Sequence, residues 1–564
     1  MNNIFDKIRE QVYSVIKKAF EACEQKGSLP NVQIGEMTVE VPRERGFGDF
    51  STNVAMQVSK QTKLPPRKTA ELLLGEFDFT GTYIDRTEIA GPGFINFYLK
   101  KDWLYDCLKI IQEKKENYGE VDLGKGIKVN VEFVSANPTG PLHMGNARGG
   151  ALGDCLASVL KKAGYDVTRE FYINDAGNQI EKFGLSLEAR YLQLVLGEDK
   201  VSFPEDGYHG EDIMDHAKAY FSQNGASLAD KPAEERRRAL VDYALPINIQ
   251  KIQDILSAYG IHYDVWFSEK SLHESGAVKK TIDFLVENGY TVTRDDAIWL
   301  NGEKLGLEKD EVLIRNNGIP TYMAADIAYH YNKLITRGFD WAIDLWGADH
   351  HGHVARMKAA ITPFGLKKEQ LEVVLFQLVR LFRNGELARM SKRTGKAIAL
   401  GDLLEEVGKD AARFFFNLKS SGSHLDFDLD LAVKQSNENP VFYVQYAHAR
   451  ICSLIRKLGE EGIVGRPISE VDLTLLNEKE EEELMRKLSE YPEEVALSAK
   501  TLEPSRLTRY VMEVAASFHS FYNACRVKGE EKELMMARIL LVDCTRIVIR
   551  NILELIRIDA PEKM

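Results

Sequence analysis

The residues best suited to chemistry follow an apolar, strand-like stretch. Pro138 and Pro141 exclude a helix between 135 and 142, and His143 and Asn146 stand where the sequence becomes helical. A helix that starts directly after a strand presents free backbone N–H groups, which bind phosphates. An imidazole and an amide there can donate hydrogen bonds to the same anion. This segment therefore predicts a site for a phosphate-bearing ligand.

Three glycines recur every four residues along the start of that helix. Gly145, Gly149 and Gly153 lack side chains, so a ligand or another backbone can come close. The alternative is a tight helix–strand contact without a ligand. Their spacing alone leaves both interpretations open.

A basic segment at 389–396 is polar, short and broken by one glycine, which predicts a mobile loop. A loop carrying Lys392 could close on a phosphate chain and stabilise the charge of departing pyrophosphate. An exposed basic turn without a ligand is the alternative.

A third group of residues suits a cationic ligand. Thr321 can cap a helix, and Tyr322 and Asp326 then lie four residues apart on one helical face. A carboxylate beside a phenol is a suitable cage for a guanidinium group, whose planar donors bind carboxylates in pairs. The alternative is a solvated aspartate on a capped surface helix.

Three histidines, His350, His351 and His353, follow a buried strand and suggest zinc. No cysteine is close, and no fourth ligand is evident, so we predict no metal site there.

The elements that must position these residues form three regions. Strand, helix and strand between 127 and 173, with Gly164 ending the helix, predict a parallel sheet. We expect an α/β catalytic domain with a doubly wound parallel sheet at 106–439. It would contain a helical insertion at about 181–292, a sheet that resumes near 297, and a hairpin turn at Asn384-Gly385. A small α/β domain would precede it at 1–105, and an all-α domain would follow at 440–564.

Composition is that of a protein of several domains. The chain has 564 residues, 28% charged residues and a net charge of −12, which argues against indiscriminate nucleic-acid binding. No apolar run is long enough to span a bilayer, and no signal peptide pattern opens the sequence. The six cysteines include no Cys-x-x-Cys pair, which favours a reducing compartment without structural zinc. We expect a cytoplasmic protein that needs no membrane.

Three motifs resemble one family. The segment 135–146, with Asn-Pro-Thr-Gly before Leu142-His143-Met144-Gly145-Asn146, is similar to the His-Ile-Gly-His signature of class I aminoacyl-tRNA synthetases, and to the arginyl family in particular. Asn146 replaces the usual second histidine, so the task of binding phosphate charge shifts to His143 and the helix terminus. Met390-Ser391-Lys392 resembles the family's Lys-Met-Ser-Lys-Ser loop. Asp410-Ala411-Ala412-Arg413 resembles the Asp-Ala-Leu-Arg signature of its anticodon-binding domain.

The resemblance implies a Rossmann-like, class I fold and the formation of arginyl-adenylate from ATP and L-arginine, followed by transfer to tRNA(Arg). It implies catalytic roles for His143, Asn146 and Lys392. The expected ATP contacts are Pro141, His143, Gly145, Asn146, Met390, Ser391 and Lys392. The expected arginine contacts are Asn137, Asn174, Tyr322, Asp326 and, in a place where the family usually has Gln, His350.

Contacts with tRNA are expected at both ends of the chain. The N-terminal region resembles a domain that touches the tRNA elbow, and there we select Arg45 and Phe47, although a solvated loop is the alternative. At the C-terminal end, Tyr510, Tyr522 and Arg526 suit stacking on unpaired bases. Aromatic residues of a helical core are the alternative there.

We further expect Mg²⁺ to accompany ATP, the protein to act as a monomer, residues 401–439 to contact the tRNA stem, and activation itself to need bound tRNA. Two other functions remain possible at this stage. One is an adenylate-forming enzyme of the same fold that uses no tRNA, and the other is a non-catalytic RNA-binding relative.

Overall fold

The first part of the chain wraps helices around a four-stranded antiparallel sheet. The computed structural model describes residues 3–35, 37–42, 44–388 and 398–564, apart from the side chain of Arg45. The sheet has the order β1-β2-β4-β3. The apolar face of the first helix, spaced three and four residues apart, is buried, as the spacing predicts, and its Phe5 ring packs 5.7 Å from the Phe50 ring of the sheet. The elements are α1 (Ile4–Gln25), β1 (Val39–Glu40), β2 (Phe50–Thr52), α2 (Val54–Gln57), α3 (Ser59–Thr62), α4 (Pro66–Leu74), β3 (Ile84–Ala90), β4 (Phe94–Leu99) and α5 (Asp102–Lys114).

The middle of the chain contains the central sheet and its surrounding helices. In chain order its elements are β5 (Lys128–Glu132), α6 (Met144–Lys162), β6 (Asp166–Ile173), α7 (Asn178–Leu196), α8 (Glu211–Asn224), α9 (Ala233–Ala258), β7 (Val265–Ser268), α10 (Glu269–Glu274), α11 (Ala277–Glu287), β8 (Thr291–Arg294), β9 (Ala297–Leu300), α12 (Gly302–Leu305), β10 (Glu311–Ile314), α13 (Tyr322–Tyr331), β11 (Trp341–Gly347), α14 (His351–Ala360), β12 (Leu371–Phe376), β13 (Val379–Arg383), β14 (Glu386–Leu387), α15 (Leu400–Val407), α16 (Lys409–Phe416), β15 (Leu425–Asp428) and α17 (Leu429–Ala432).

Five parallel strands form the central sheet in the order β12-β11-β5-β6-β7. The chain runs outward from β5 through β6 to β7, and returns to the other side of β5 with β11 and β12. The doubly wound parallel sheet predicted from the sequence is confirmed. Strand order reverses between β5 and β11, and in such sheets ligands bind at the carboxyl ends of the two strands beside that reversal.

The helical insertion is shorter than the sequence predicts. The prediction of a continuous insertion up to 292 is wrong, because β7 lies within that range and pairs with β6 in the central sheet. The strand Ala297–Leu300, expected to resume the central sheet, instead belongs to a separate antiparallel sheet of order β10-β9-β8. Four half-buried residues make β7 too short to give a clear periodic signal.

The glycines of α6 serve mainly close packing. A Cβ atom at Gly153 would lie 2.3 Å from the Phe133 ring, and one at Gly149 would lie 2.9 Å from Phe376. At Gly145 the nearest atoms belong to the protein's own His143 side chain, at 3.0 Å. Helix–strand contact therefore explains the second and third glycines, and an open approach remains possible at the first.

The predicted hairpin at Asn384-Gly385 is confirmed between β13 and β14. Both residues have positive φ, 53° and 75°, which is the conformation that two-residue hairpin turns require.

The last part of the chain is entirely helical in its regular elements, as predicted. These are α18 (Pro440–Glu460), α19 (Lys479–Ser489), α20 (Tyr491–Thr501), α21 (Ser505–Ala524) and α22 (Lys532–Leu555). No helix of the described residues is long and apolar enough to cross a membrane.

Candidate active site

The site lies where the chain leaves the carboxyl ends of β5, β6, β7 and β11. Directly after β5 the backbone of Val134 and Ser135 has positive φ, 69° and 39°. Such a conformation is costly for a β-branched residue and is found mostly at functional sites. The Ser135 hydroxyl accepts a hydrogen bond from the Tyr172 N–H at 3.1 Å, which fixes this turn against β6.

His143 caps the N-terminus of α6. Its Nδ1 atom accepts a hydrogen bond from the Gly145 N–H at 3.1 Å, which leaves the proton on Nε2. Burial lowers the pKa of His143, so the imidazole is neutral at pH 7. The sequence suggested that His143 would meet phosphate charge as a possible cation. In the free protein it is instead a neutral donor beside the free N–H groups of the helix.

Asn146 supports this cap. Its Oδ1 atom accepts a hydrogen bond from the His143 N–H at 3.0 Å, so that oxygen is already occupied. Only its amide group remains for a ligand. The geometry therefore favours a positioning role for Asn146 over the catalytic role expected from the sequence. Pro141 is exposed just before the cap.

Residues 389–397, which include Met390, Ser391 and Lys392, lie outside the described residues. The chain after them is joined to the start of α6. The Leu400 N–H donates to the Leu142 carbonyl at 2.8 Å, and Ala399 forms a β-bridge with His143. Ala399 and Leu400, which follow this segment in sequence, are therefore adjacent to the histidine.

Tyr322 and Asp326 share a face of α13, as the sequence predicts. The Tyr322 side chain is exposed, whereas Asp326 pairs with His353, with 3.1 Å between Oδ2 and Nε2. His350 is exposed and lies 3.5 Å from Asp349. Of the two histidines, the one that pairs with a predicted arginine contact is therefore His353, and the role of His350 stays a prediction.

Two further carboxylates lie near Asp326. Glu269 starts α10 directly after β7, and burial together with the charges of Asp326 and Asp175 raises its pKa to about 7. Asp175 accepts hydrogen bonds from the Ser268 hydroxyl and the Lys270 N–H. We refer to Asp175, Glu269 and Asp326 as the acidic cluster. It places negative charge where a cationic side chain could bind.

Asp175 follows β6, which the sequence predicts, and is adjacent to the selected Asn174. Glu269 follows β7, a strand too short to be recognised from the sequence. Ligands of open α/β sheets bind at the carboxyl ends of the strands. Once β7 is known, Glu269 is therefore a candidate for the same reason as His143, which follows β5. Burial and the charges of Glu269 and Asp326 also raise the pKa of the nearby Tyr172 phenol, which stays neutral.

Asn137 and Asn174 lie at the same edge. The Asn137 amide donates to Gln179 Oε1 at 2.8 Å, and the Asn174 amide approaches the Ser135 carbonyl at 3.5 Å. Both side chains are half-buried and follow β5 and β6, so they are positioned beside the His143 turn.

A buried ion network fixes α13 to the sheet. Lys333 lies in the π-helical turn after α13, and its ammonium donates to Glu132 and Asp344. The His330 ring hydrogen-bonds to the Asp344 carboxylate and to the Asp326 carbonyl. Burial disfavours the charged imidazolium, but the Asp344 carboxylate outweighs it and raises the pKa of His330. Because all four side chains are buried, the network holds the helix that carries Asp326 in one position.

The expected tRNA contacts separate into exposed and buried residues. Tyr510 is buried, and its hydroxyl donates to the Lys487 carbonyl. Its ring stacks on Tyr491, so the expectation that Tyr510 contacts tRNA is wrong for this conformation. Arg526 and Phe47 are exposed, and Tyr522 is half-buried. The Arg45 side chain lies outside the described structure.

Tyr522 belongs to a larger aromatic surface. The Arg450 guanidinium lies 4.1 Å above its ring. His519, also on α21, packs 5.0 Å from Tyr443, while Tyr446 and Phe442 stack almost in parallel on α18. We call the six residues the aromatic platform: Phe442, Tyr443, Tyr446, Arg450, His519 and Tyr522.

Comparison with protein families divides the chain into three parts. Residues 6–99 match the family described as arginyl tRNA synthetase N terminal domain. Residues 108–421 match tRNA synthetases class I (R), catalytic domain, and residues 444–564 match the DALR anticodon binding domain.

Individual proteins resemble the chain over its full length. The arginine--tRNA ligase of Acetivibrio thermocellus is 64% identical over 564 residues, covering 100% of both chains. The enzyme of the same name from Ruminiclostridium cellulolyticum is 62% identical with the same coverage. The fold is similar to that of Thermus thermophilus arginyl-tRNA synthetase, with a TM-score of 0.74 at 22% identity, covering 98% of this chain and 100% of that one.

Proposed function

Since this chain belongs to the arginyl-tRNA synthetases, we propose that its acidic cluster selects arginine and that the His143 helix binds ATP. The enzyme activates L-arginine with ATP and transfers the arginyl group to tRNA. Asp326 and Glu269 bind the guanidinium, and the exposed Tyr322 ring covers it. Asn137 and Asn174 hold the α-amino and carboxylate end.

Activation is a displacement at phosphorus. A carboxylate oxygen of arginine attacks the α-phosphorus of ATP, and the bond to pyrophosphate breaks. The Nε2–H of His143 and the free N–H groups of α6 donate to phosphate oxygens, while Lys392 stabilises the departing pyrophosphate. A hydroxyl of the terminal ribose then attacks the arginyl carbonyl, and AMP leaves. The protein positions the reactants and forms no covalent bond with them.

The observation that carries this proposal is the acidic cluster. Its carboxylates repel one another, and the pKa of Glu269 at about 7 reflects that repulsion together with burial. A bound cation relieves the repulsion. Arginine offers a planar cation with several donors, which two carboxylates can bind from different sides.

The aromatic platform is proposed to hold the anticodon loop. Unpaired bases stack on aromatic rings, and guanidinium groups pair with RNA phosphates. Tyr446 is 37% exposed, and Arg450 brings positive charge to the same region. The exposed Arg526 follows the end of α21 in sequence. Phe47 and Arg45 remain proposed contacts for another part of the tRNA.

Three further features are proposed from family membership. ATP enters as its Mg²⁺ complex, since phosphate oxygens are hard ligands. The protein acts as a monomer in the cytoplasm, where charged tRNA is used. The domain boundaries are those expected from the sequence, 1–105, 106–439 and 440–564, with stem contacts at 401–439.

Pyrophosphate exchange with each amino acid, with and without tRNA, tests the proposal. We expect exchange with arginine alone, and strongly only when tRNA is present. An enzyme of the same fold that uses no tRNA would be indifferent to it, and a non-catalytic relative would show no exchange at all.

Asp326→Asn tests the acidic cluster. Citrulline has nearly the shape of arginine without its charge, so the variant should use arginine far less well and discriminate less between the two. Unchanged kcat and KM for arginine in this variant would remove Asp326 from the pocket. Tyr331→Phe, on the same helix, serves as the matched control.

A further inference from the structure

Tyr172 holds a buried, unpaired hydroxyl beside the acidic cluster, and the mechanism above does not use it. The residue is the second-to-last of β6 and is 6% exposed. Its hydroxyl has no hydrogen-bond partner among the described residues. Such a group is costly to bury, because it has given up its hydrogen bonds to water without replacing them. A ligand that pairs with the hydroxyl would remove this cost.

The Tyr172 ring is fixed by its neighbours. Its centroid lies 4.3 Å from that of the Tyr329 ring and 6.2 Å from that of Phe267, on which it stacks. The Tyr172 backbone N–H donates to the Ser135 hydroxyl at 3.1 Å, in the turn that leads to His143. A phenylalanine of nearly the same volume could pack between the same rings. The packing therefore does not require the hydroxyl.

Carboxylates from several elements act on this hydroxyl. Burial raises the pKa of the Tyr172 phenol, and four carboxylates raise it further, so the hydroxyl keeps its proton. These are Glu269, Asp326, Glu132 and Asp175. Three of them form the acidic cluster, and Glu132 belongs to the buried ion network. The hydroxyl therefore faces the cluster as a neutral group.

The hydroxyl and Glu269 influence each other. Burial and the two neighbouring aspartates raise the pKa of Glu269 to about 7, and the Tyr172 hydroxyl opposes that rise. The two groups are thus close, although no hydrogen bond of ordinary geometry joins them in this conformation. A carboxylate only accepts hydrogen bonds, whereas a phenol donates one and also accepts. The hydroxyl can therefore donate to Glu269 and still accept a hydrogen bond from a ligand.

We propose that Tyr172 is a recognition residue for arginine, whose hydroxyl accepts a hydrogen bond from the guanidinium and donates one to Glu269. This inference rests on the proposed binding of arginine by the acidic cluster. A guanidinium carries five N–H donors, so it can pair with a neutral acceptor as well as with carboxylates. A hydrogen bond to Glu269 makes the phenol oxygen a better acceptor, because linked hydrogen bonds polarise one another.

Tyr172→Phe tests the proposal, since it removes the hydroxyl and keeps the ring. Arginine-dependent pyrophosphate exchange is measured in the full-length enzyme with tRNA at about pH 8, where Glu269 is mostly ionised. KM for arginine should rise about tenfold to a hundredfold, the scale of one hydrogen bond to a charged group. KM for ATP and kcat should stay within about twofold of the parent values, because the lost contact binds only the arginine side chain.

A double-mutant cycle with Glu269→Gln tests the link to the carboxylate. In the Glu269→Gln background, the increase in KM for arginine caused by Tyr172→Phe should be at least about threefold smaller, since residues that share one interaction are not additive. An equal increase in both backgrounds would overturn the inference.

Tyr329→Phe is the matched control. Its ring contacts that of Tyr172, but its hydroxyl donates to Glu170 at 2.5 Å. KM for arginine should stay within about twofold of the parent value, because the lost hydrogen bond lies inside the protein. The midpoint of thermal unfolding should fall, since a buried hydrogen bond is lost. Tyr172→Phe should keep or raise that midpoint, because its hydroxyl has no partner among the described residues.

A parental KM for arginine in Tyr172→Phe would overturn the inference. A fall in its unfolding midpoint as large as that of Tyr329→Phe would do the same, because the hydroxyl would then be structural. Failure of the proposed pocket gives a different result, in which Asp326→Asn and Glu269→Gln both leave KM for arginine unchanged. If those two variants raise KM and Tyr172→Phe does not, only the role of Tyr172 is lost.

Discussion

The protonation of Glu269 controls how much negative charge the proposed arginine pocket holds. Its folded pKa of about 7 lies above the ordinary value of 4.5, because burial and the two neighbouring aspartates disfavour the ionised form. The carboxylate is thus partly protonated near neutral pH, and its ionised fraction rises as pH increases through 7. A bound guanidinium favours ionisation, so arginine binding near pH 7 should release protons.

Glu269→Gln should remove this pH dependence. In the parent enzyme KM for arginine should fall by up to about tenfold between about pH 6 and about pH 8, as Glu269 ionises. The glutamine variant should show a higher KM and a flat profile over that range. Steady-state exchange at several pH values measures both. A parent profile that is flat would show that Glu269 does not face the substrate.

His143→Ala should lower kcat by about tenfold to a thousandfold, the scale for one charge-stabilising donor, with little change in KM for arginine. Because the imidazole is neutral and donates through Nε2, the ratio of parent to variant kcat should not change between about pH 7 and about pH 8. His209→Ala, at an exposed position outside the site, is the control. A kcat equal to that of the parent enzyme would exclude His143 from the reaction.

At the scale of elements, helices α13 and α18 hold the side chains of the two proposed sites in different ways. A buried ion network fixes α13 to the central sheet, so the helix that carries Tyr322 and Asp326 is held in place. α18 exposes a row of aromatic residues spaced four apart, with α21 beside it. The first arrangement suits a small ligand that must be placed accurately, and the second suits flexible RNA bases.

Tyr522→Ala should weaken binding of cognate tRNA by about 1–3 kcal/mol if a base stacks on this ring. The loss of affinity should be smaller for a tRNA whose anticodon is already altered, because that tRNA already lacks the contact that Tyr522→Ala removes. Tyr510→Phe removes only a buried hydroxyl and should leave tRNA affinity unchanged. Filter binding of both variants checks this. Parental affinity in a folded Tyr522→Ala protein would contradict the platform.

Across the whole molecule, Arg413 joins parts that are distant in sequence. Its guanidinium pairs with Asp154 on α6 at 2.6 Å and donates to the carbonyls of Tyr259, after α9, and Ile556, after α22. The N-terminal region is also tied to the C-terminal helices, for example by Arg9 and Glu493. The three regions therefore contact one another, and a deletion of residues 440–564 would expose the surfaces that these contacts bury.

Arg413→Met should lower the free energy of unfolding by about 3–5 kcal/mol, since it leaves the buried Asp154 carboxylate with one cation fewer. Chemical denaturation followed by circular dichroism measures the loss. Arg466→Met, which breaks a partly exposed pair with Glu533 inside the C-terminal domain, should cost no more than about 1 kcal/mol. A loss of unfolding free energy as small for Arg413→Met as for Arg466→Met would show that Arg413 does not hold the three regions together.

The sequence by itself determined the features that depend on neighbouring residues. Strand, turn and capped helix around His143 follow from β-branching, proline and helical periodicity. The Asn384-Gly385 hairpin follows from turn chemistry, and Tyr322 and Asp326 share a face because four residues make about one helical turn. Each signal lies within a few residues, so it can be recognised without knowing the fold.

Only the tertiary structure decided which distant residues meet. Glu269 joins Asp326 because β7 lies in the central sheet, and four half-buried residues give too little signal to place that strand. The helical periodicity does not distinguish Tyr510 from Tyr522. Tyr510 is buried and Tyr522 is half-buried at the surface, because the packing of neighbouring helices determines which face of α21 is covered. Arg148 donates hydrogen bonds to two backbone carbonyls more than 200 residues away. Every residue has such a carbonyl, so the sequence does not show which ones accept these hydrogen bonds.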